Sequence, residues 1–400
     1  MGKTIGSKRR YSKALPAHRL SKLRRQVCSQ LRNTGFVINR NEFAIRGDVT
    51  KQKIRDLHSE QRTQLLDKNK LFLAQNTSEL LDYFASGSQI DPAAIDPELV
   101  EVKPDSLEAR LFKFASLYWS VPVSQGFGRR LRFLVRDRQN GCLIGLIAIG
   151  DPVFNLSARD NWIGWTHTDR EKRLVHVMDA YVVGSLPPYS YLICGKLVAA
   201  LIGSEEVKRV YERKYLGKRS IISKKLNRAR LVLLTTTSAL GRSSVYNRLS
   251  IPGGPCFMRI GATRGFGHFH FADKTFDLMR GYLRDLGDPY ATGNRFGMGP
   301  NWKMRVVRKS LEGLGLDGNA ILKHGIEREV YAIPLAANWQ EVLLGKNKRV
   351  RSLAIPTEDI ARYCLTRWII PRSRRDDRYR TFEKEEILDS LNNGGHRGIP

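Results

Sequence analysis

Residues 141–150 read GCLIGLIAIG, ten positions without a charge. A membrane helix needs about 20 apolar residues, so a run this short fits a strand buried on both faces instead. The residues before it, LRFLVRD from Leu131, alternate Leu131, Phe133 and Val135 with polar neighbours, and Asn140-Gly141 supplies a tight turn between the two runs. Together they predict a hairpin whose second strand must be covered on both sides. The covering layers have to come from helices, and the chain that follows provides them. DREKRLVHVMDAYVV opens with an acidic first turn and passes from helix into strand, and LICGKLVAALIGSEEVKRVYERKY has the spacing of one long helix. ARLVLLTTT reads as a buried strand, SSVYNRL as a short helix, and FMRIGATRGFGHFHF as a return to strand. This order predicts an α+β fold with a central mixed sheet of acetyltransferase-like element order.

The flanks differ in kind. Residues 1–60 hold 15 Lys and Arg against four acids, with apolar positions too sparse for a continuous core stripe, so a basic arm or a short helical module is expected there. Leu65, Leu66, Leu71, Leu73, Leu80, Leu81 and Phe84 then recur at helical spacing, and residues 86–106, rich in Pro, Asp and Ser, read as a linker. Beyond Asp273 the pattern is helical again and carries a second basic cluster in KNKRVR and PRSRRDDRYR. The expected division is a basic, mainly helical N-terminal region with linker (1–105), a central α+β domain (106–275), and a helical, basic C-terminal region (276–400).

The formal charge of the 400 residues is +29 at pH 7. An excess of that size sets up a positive potential over much of the surface, and the natural partner is an anionic polymer, DNA before RNA, which gains affinity from each phosphate neutralised. A basic surface kept for solubility, or covered by an acidic protein, is the alternative. The five cysteines are scattered with no CxxC pair, which argues against structural disulfides and a cysteine zinc site. The N-terminus lacks the apolar stretch of a secretion signal, and residues 181–203, the most apolar long segment, contain Pro187, Pro188 and Lys196. No membrane association is expected, and the cytoplasm is the expected location.

Five places carry candidate chemistry. Arg159 and Asp160, adjacent in FNLSARDNWIGW, suit a phosphate-binding guanidinium and a catalytic carboxylate, or else a structural ion pair among core tryptophans. His268 and His270 in GHFHF share one face if the segment is a strand, which suits a metal or an acid/base pair, although imidazoles on strands are more often structural. Lys196 follows Gly195 at a helix entrance and could receive phosphate, yet the loop has neither the P-loop pattern nor the pyrophosphate cradle of acetyl-CoA enzymes. Arg242, between Gly241 and the pair Ser243-Ser244, could complete an anion site, or Ser243 and Ser244 could be helix caps only. GMGPNWK, residues 297–303, is a phosphate-facing loop ending in Lys303 or a turn with a buried Trp302. Catalytic roles therefore fall to Asp160, His268 and His270, and nucleic-acid contacts to Arg159, Lys196, Arg242 and Lys303. The motifs leave any cofactor or metal unidentified.

Taken in order, GRRLRFLVRD, RDNWIGW, LPPYSYLICGKLVAALIGSEEV, TTTSALGRSSVYNRL, GFGHFHF, GMGPNWKMRVVRK and HGIEREVYAIPLAANW resemble the DruA family of the Druantia bacterial anti-phage defence systems, over residues 111–379. The resemblance implies a component of a multi-gene defence island, acting in a bacterial cytoplasm with partner proteins that include a large helicase-like one. It implies no known reaction. More distant members tend to carry an acid on the strand matching LVLLTTT and a pair of asparagines near Met178-Asp179, where this chain has Thr235–Thr237 and only Asp179. The leading expectation is a nucleic-acid-contacting defence factor. A metal-assisted nuclease using Asp160, Asp179 and the two histidines, and an acetyltransferase-like transfer enzyme, are the alternatives.

Overall fold

The computed structural model describes residues 16–39, 42–124, 126, 128–219, 226–293 and 300–392. They form two compact units, one from the residues up to Gln64 together with Arg264–Ile326, the other from Leu65–Thr263 together with the residues from Glu327 onward.

The larger unit is built on a seven-stranded sheet. Its strands are β3 (Pro97–Glu101), β4 (Arg130–Asp137), β5 (Leu143–Gly150), β6 (Val177–Ser185), β7 (Leu233–Thr237), β8 (Met258–Ala262) and β9 (Glu329–Pro334), in the order β3-β4-β5-β6-β7-β9-β8. The two strands numbered before them, β1 (Phe36–Asn39) and β2 (Glu42–Ile45), make a separate hairpin in the smaller unit. Every neighbouring pair in the large sheet is antiparallel except β6 and β7, which run parallel for three residue pairs, Val177–Leu233 to Asp179–Thr235. The protein is α+β with a mixed sheet, as the patterning predicts. β5 is buried at all eight positions: Ile144, Ile147 and Ile149 pack into one core and Leu143, Leu146 and Ala148 into the other. At about 25 cal/mol per Å² of apolar surface removed from water, this strand is a main source of the unit's stability.

The α-helices among the described residues are α1 (Ala17–Asn33), α2 (Lys51–Lys68), α3 (Lys70–Leu81), α4 (Leu107–Tyr118), α5 (Ser157–Ile163), α6 (His167–Arg173), α7 (Cys194–Ala200), α8 (Glu205–Tyr215), α9 (Asp273–Asp285), α10 (Pro300–Gly313), α11 (Gly318–Leu322), α12 (Trp339–Leu343), α13 (Thr357–Cys364), α14 (Ile370–Ser373) and α15 (Glu386–Asn392). Several differ from the sequence reading, each for a local reason. The long helix expected over residues 192–215 is broken between α7 and α8. A Cβ on Gly203 would stand 2.6 Å from the Pro255 ring, and the next residue, Ser204, is extended with its hydroxyl accepting the Val207 N–H at 3.4 Å as an N-cap. SSVYNRL is a turn rather than a helix, with the Ser243 hydroxyl accepting from the Tyr246 N–H at 3.0 Å. Residues 86–106 contain β3, whose proline stands first on an edge strand, where its missing N–H costs no ladder bond. The C-terminal region is not purely helical, because EVYAIP forms β9, an alternating β-branched and aromatic run lying between β7 and β8.

In the smaller unit, α1 lays Leu20, Leu23, Val27 and Leu31 into a core shared with Phe276, Met279 and Leu283 of α9 and Trp302, Val306 and Leu311 of α10. The β1–β2 hairpin adds a stacked pair, Phe36 and Phe43, with ring centres 4.9 Å apart.

Candidate functional site

Arg159 and Asp160 lie on α5 and are 0% and 3% exposed. The guanidinium donates to one carboxylate oxygen through Nε (2.8 Å) and Nη2 (2.7 Å), and to the carbonyls of Val153 (2.9 Å) and Phe154 (2.9 Å). The second oxygen accepts from Arg170 Nη1 at 2.8 Å and from the Leu156 N–H at 3.3 Å. The group thus ties the loop over residues 153–156 to its own helix, and burial pulls the Arg159 pKa down against the pull of its carboxylate partner. Trp162 stacks on Trp339 at 4.1 Å, and Trp165 donates to the Leu343 carbonyl at 2.8 Å, so both tryptophans fill core. The geometry is that of a structural clamp, with both arms of the carboxylate engaged inside the chain.

A second polar cluster surrounds the place where β6 and β7 part. Asp179, half-buried, accepts from the Thr235 hydroxyl at 2.7 Å, and Thr236 donates to the Ala180 carbonyl at 2.8 Å. Burial pushes the Asp179 carboxyl up to about 6, against the Thr235 hydrogen bond and the charge of Arg159. Further along the sheet, Glu329 accepts from the Tyr331 hydroxyl (2.7 Å), the Ser243 N–H (3.1 Å) and Arg259 Nε (2.9 Å). Burial alone would raise the Glu329 carboxyl, but these three donors hold it low. At the anion site expected around Arg242, the Ser243 N–H is thus already bonded to a carboxylate, while Arg242 is exposed, its charge acting on Tyr331. Lys196, half-buried on α7, donates to the carbonyls of Val245 (3.0 Å) and Asn247 (3.3 Å), so the entrance of that helix is closed by the chain's own backbone.

The histidines belong to the smaller unit. Residues 263–272 are loop and turn, so the shared strand face expected for His268 and His270 does not exist. A Cβ on Gly265, at φ +62°, would stand 2.8 Å from the Gly325 backbone, and this left-handed turn takes the chain out of the strand path. His270 is 1% exposed and sits among Phe36, Phe43, Phe269 and Phe271, with ring centres 4.5 to 5.6 Å away. Burial holds its pKa well below the ordinary range, and burial with the charge of Lys303 pushes His268 down to about 4. Lys303 is half-buried on α10 with its ammonium 5.4 Å from the Phe276 ring centre, and Trp302 is buried, donating to the Tyr290 carbonyl at 2.8 Å. Gly297 to Gly299 of the proposed phosphate loop lie outside the described residues. Among the described residues no group of three or more His, Cys, Asp or Glu side chains is placed to hold a metal ion.

What residue-by-residue reading passed over is the outer face of α1. The helix has no acid, and Arg19, Lys22, Arg24, Arg25 and Arg32 are all exposed. None makes an ion pair or a hydrogen bond among the described residues. Lys22, Arg25, Gln26, Ser29 and Asn33, with Glu60 of α2, line a concave surface of about 720 Å³. The signal for it was the combination of five cations, three side-chain amides and an apolar stripe within 17 residues.

The profile of the family described as Druantia protein DruA matches residues 48–345. The chain belongs to the DruA family. It is 44% identical over 376 residues to the Druantia protein DruA of Escherichia coli (strain UMEA 4076-1), an alignment covering 94% of this chain and 93% of that protein. Membership makes the chain a component of the Druantia type of anti-phage defence system. No solved structure matches it. The family profile begins after α1 and the β1–β2 hairpin, and it takes in the Arg159–Asp160 clamp, the Asp179 cluster and the histidines. Among the described residues no helix is long and apolar enough to cross a membrane.

Proposed function

We propose that this DruA-family chain is the nucleic-acid-contacting factor of its defence system, binding phage DNA in the bacterial cytoplasm and presenting it to other Druantia proteins, a helicase-like one among them. The observation that carries the reading is the acid-free outer face of α1, whose five exposed cations have no carboxylate partner on the helix. Surface cations in proteins of balanced charge are commonly matched by acids three or four residues away, which lowers the local potential. Here the mismatch is extended in sequence, because residues 1–15 add Lys3, Lys8, Arg9, Arg10 and Lys13 and no acid. Exposed cations outside any ion pair are what phosphate neutralisation with counterion release requires. The clamp at Arg159 and Asp160 favours this binding role over the nuclease alternative, since both oxygens of the carboxylate already accept from arginines.

The test is binding of the whole chain to double-stranded DNA, single-stranded DNA and RNA over a range of salt, with and without Mg²⁺ or Mn²⁺. Binding that weakens steeply with salt and leaves the nucleic acid intact is the expected result. Metal-dependent cleavage would replace the proposal with the nuclease reading, and absence of binding to every form would remove its physical basis.

A further inference from the structure

The outer face of α1 has more order than a merely cationic surface needs. Leu20, Leu23, Val27 and Leu31 form its buried stripe. Along its solvent side run His18, Lys22, Arg25, Ser29 and Arg32, separated by four, three, four and three residues. That spacing keeps all five on one line of an α-helix. Gln26 and Asn33 stand beside this line, and Glu60 faces it across the concave surface.

We infer that α1 is a base-reading helix that enters the major groove of duplex DNA, with Arg25, Gln26 and Asn33 addressing base edges while Lys22 and Arg32 hold phosphates. The inference rests on the nucleic-acid reading above and narrows it to one substrate class. Three features select duplex DNA. A helix with its side chains is about 10–12 Å across, and the major groove of B-form DNA is about 12 Å wide, so a helix exposed along one whole side fits it. The donor and acceptor set is one that groove displays partners for: a guanidinium fork for guanine and primary amides for adenine. Ser29, between Arg25 and Arg32 on the line, is small enough for the helix backbone to approach the bases. The face also lacks what other nucleic acids need. α1 contains no Phe, Tyr or Trp on which unpaired bases could stack, and the major groove of duplex RNA is too narrow and deep for a helix.

Selection of the whole chain on a randomised duplex DNA library, followed by binding curves over a range of salt, tests this. The curves are taken with the selected duplex, a scrambled duplex, the separated strand and the RNA duplex of the same sequence. The expected result is an enriched sequence bound about tenfold or more tightly than the scrambled duplex, with single strand and duplex RNA weaker still. Arg25→Lys, which keeps the charge but loses the fork, and Asn33→Ala, which changes no charge, are each expected to weaken the selected site about tenfold more than the scrambled duplex, with little change in the salt slope. Both positions are exposed, and an unchanged melting temperature verifies that the variants fold. Enrichment of no sequence, equal binding of RNA duplex, or equal loss on every DNA would overturn the groove-reading inference while leaving nucleic-acid contact standing. Binding to none of the four probes would overturn both.

Discussion

On α5 a guanidinium and a carboxylate are sealed among tryptophans with their polar atoms engaged, whereas on α1 five cations face water and no acid shares the helix with them. The two regions use the same residue types for opposite ends. A buried ion costs several kcal/mol of hydration, roughly, so it persists only where its surroundings return every hydrogen bond, and a group so placed has nothing left for a ligand. An exposed cation loses little hydration and stays available. Charge set in apolar sequence, as in FNLSARDNWIGW, is therefore the poorer pointer to a binding site, and charge on the outside of an amphipathic helix the better one.

The largest expected effect tests the sealed side of this contrast. Asp160→Ala leaves Arg159 buried without its counter-ion and frees Arg170 as well, and breaking such a pair costs about 3–5 kcal/mol. Urea denaturation of the whole chain is expected to show a loss of that order. A loss below about 1 kcal/mol, the range of exposed ion pairs, would mean that the pair is not a structural clamp and would return Asp160 to the list of chemical groups.

Next in size is an effect of pH on the smaller unit. His270 and His268 are held below the ordinary histidine range by burial, the second at about 4. Between that value and about 6.5 the unfolded chain binds protons that the folded unit does not, so the stabilisation is complete above about pH 6.5 and falls as the pH is lowered. Each histidine contributes a slope of at most about 1.4 kcal/mol per pH unit. Thermal melts from pH 7.5 to 5 are expected to show falling stability, and His270→Phe, which suits the aromatic cage, to make the fall shallower. An identical slope in the variant would remove His270 from this account.

Asp179 has the reverse sign and a smaller size. Its carboxyl is raised to about 6, so the folded protein keeps it charged at neutral pH at a cost that starts to fall below pH 6 and is gone only near the ordinary carboxyl value of about 4. Asp179→Asn is expected to raise stability at both pH values, by about 1 kcal/mol more at pH 7.5 than at pH 5. Loss of phage protection in this variant would give Asp179 a task beyond the sheet. Full protection would leave it a polar accident of the sheet.

The sheet was legible where the pattern was local and repeated. The β4–β5 hairpin announced itself by alternation, a two-residue turn and an unbroken apolar run, and both faces of β5 are indeed covered. β9 was not legible, because its position between β7 and β8 joins segments far apart in the chain, as in Leu233 with Pro334 and Met258 with Ala332, and EVYAIP sits in sequence among helices. The clamp was half legible. Adjacent Arg159 and Asp160 could be noticed, but that Arg170 and two carbonyls complete them is a fact of chain path. GHFHF misled because strand period was assumed where a left-handed glycine ends the strand. α1 was visible as basic and missed as a face, since its acid-free line emerges only when buried and exposed positions are separated.

The smallest expected change in stability belongs to α1 and completes the contrast with Asp160. Lys22→Ala and Arg32→Ala remove exposed charges that make no ion pair among the described residues, so each is expected to shift stability by no more than about 0.5 kcal/mol. The same substitutions are expected to weaken binding to duplex DNA of any sequence, and to reduce the slope of log affinity against log salt by about one each, the signature of one lost phosphate contact. Stability and binding then separate by position: α5 governs whether the larger unit folds, α1 how strongly the protein holds a polyanion. If Lys22→Ala and Arg32→Ala leave the salt slope untouched while the wild-type chain still binds, the phosphate contacts lie elsewhere among the basic residues. The exposed arginines Arg374, Arg375, Arg378 and Arg380 would be the next to neutralise.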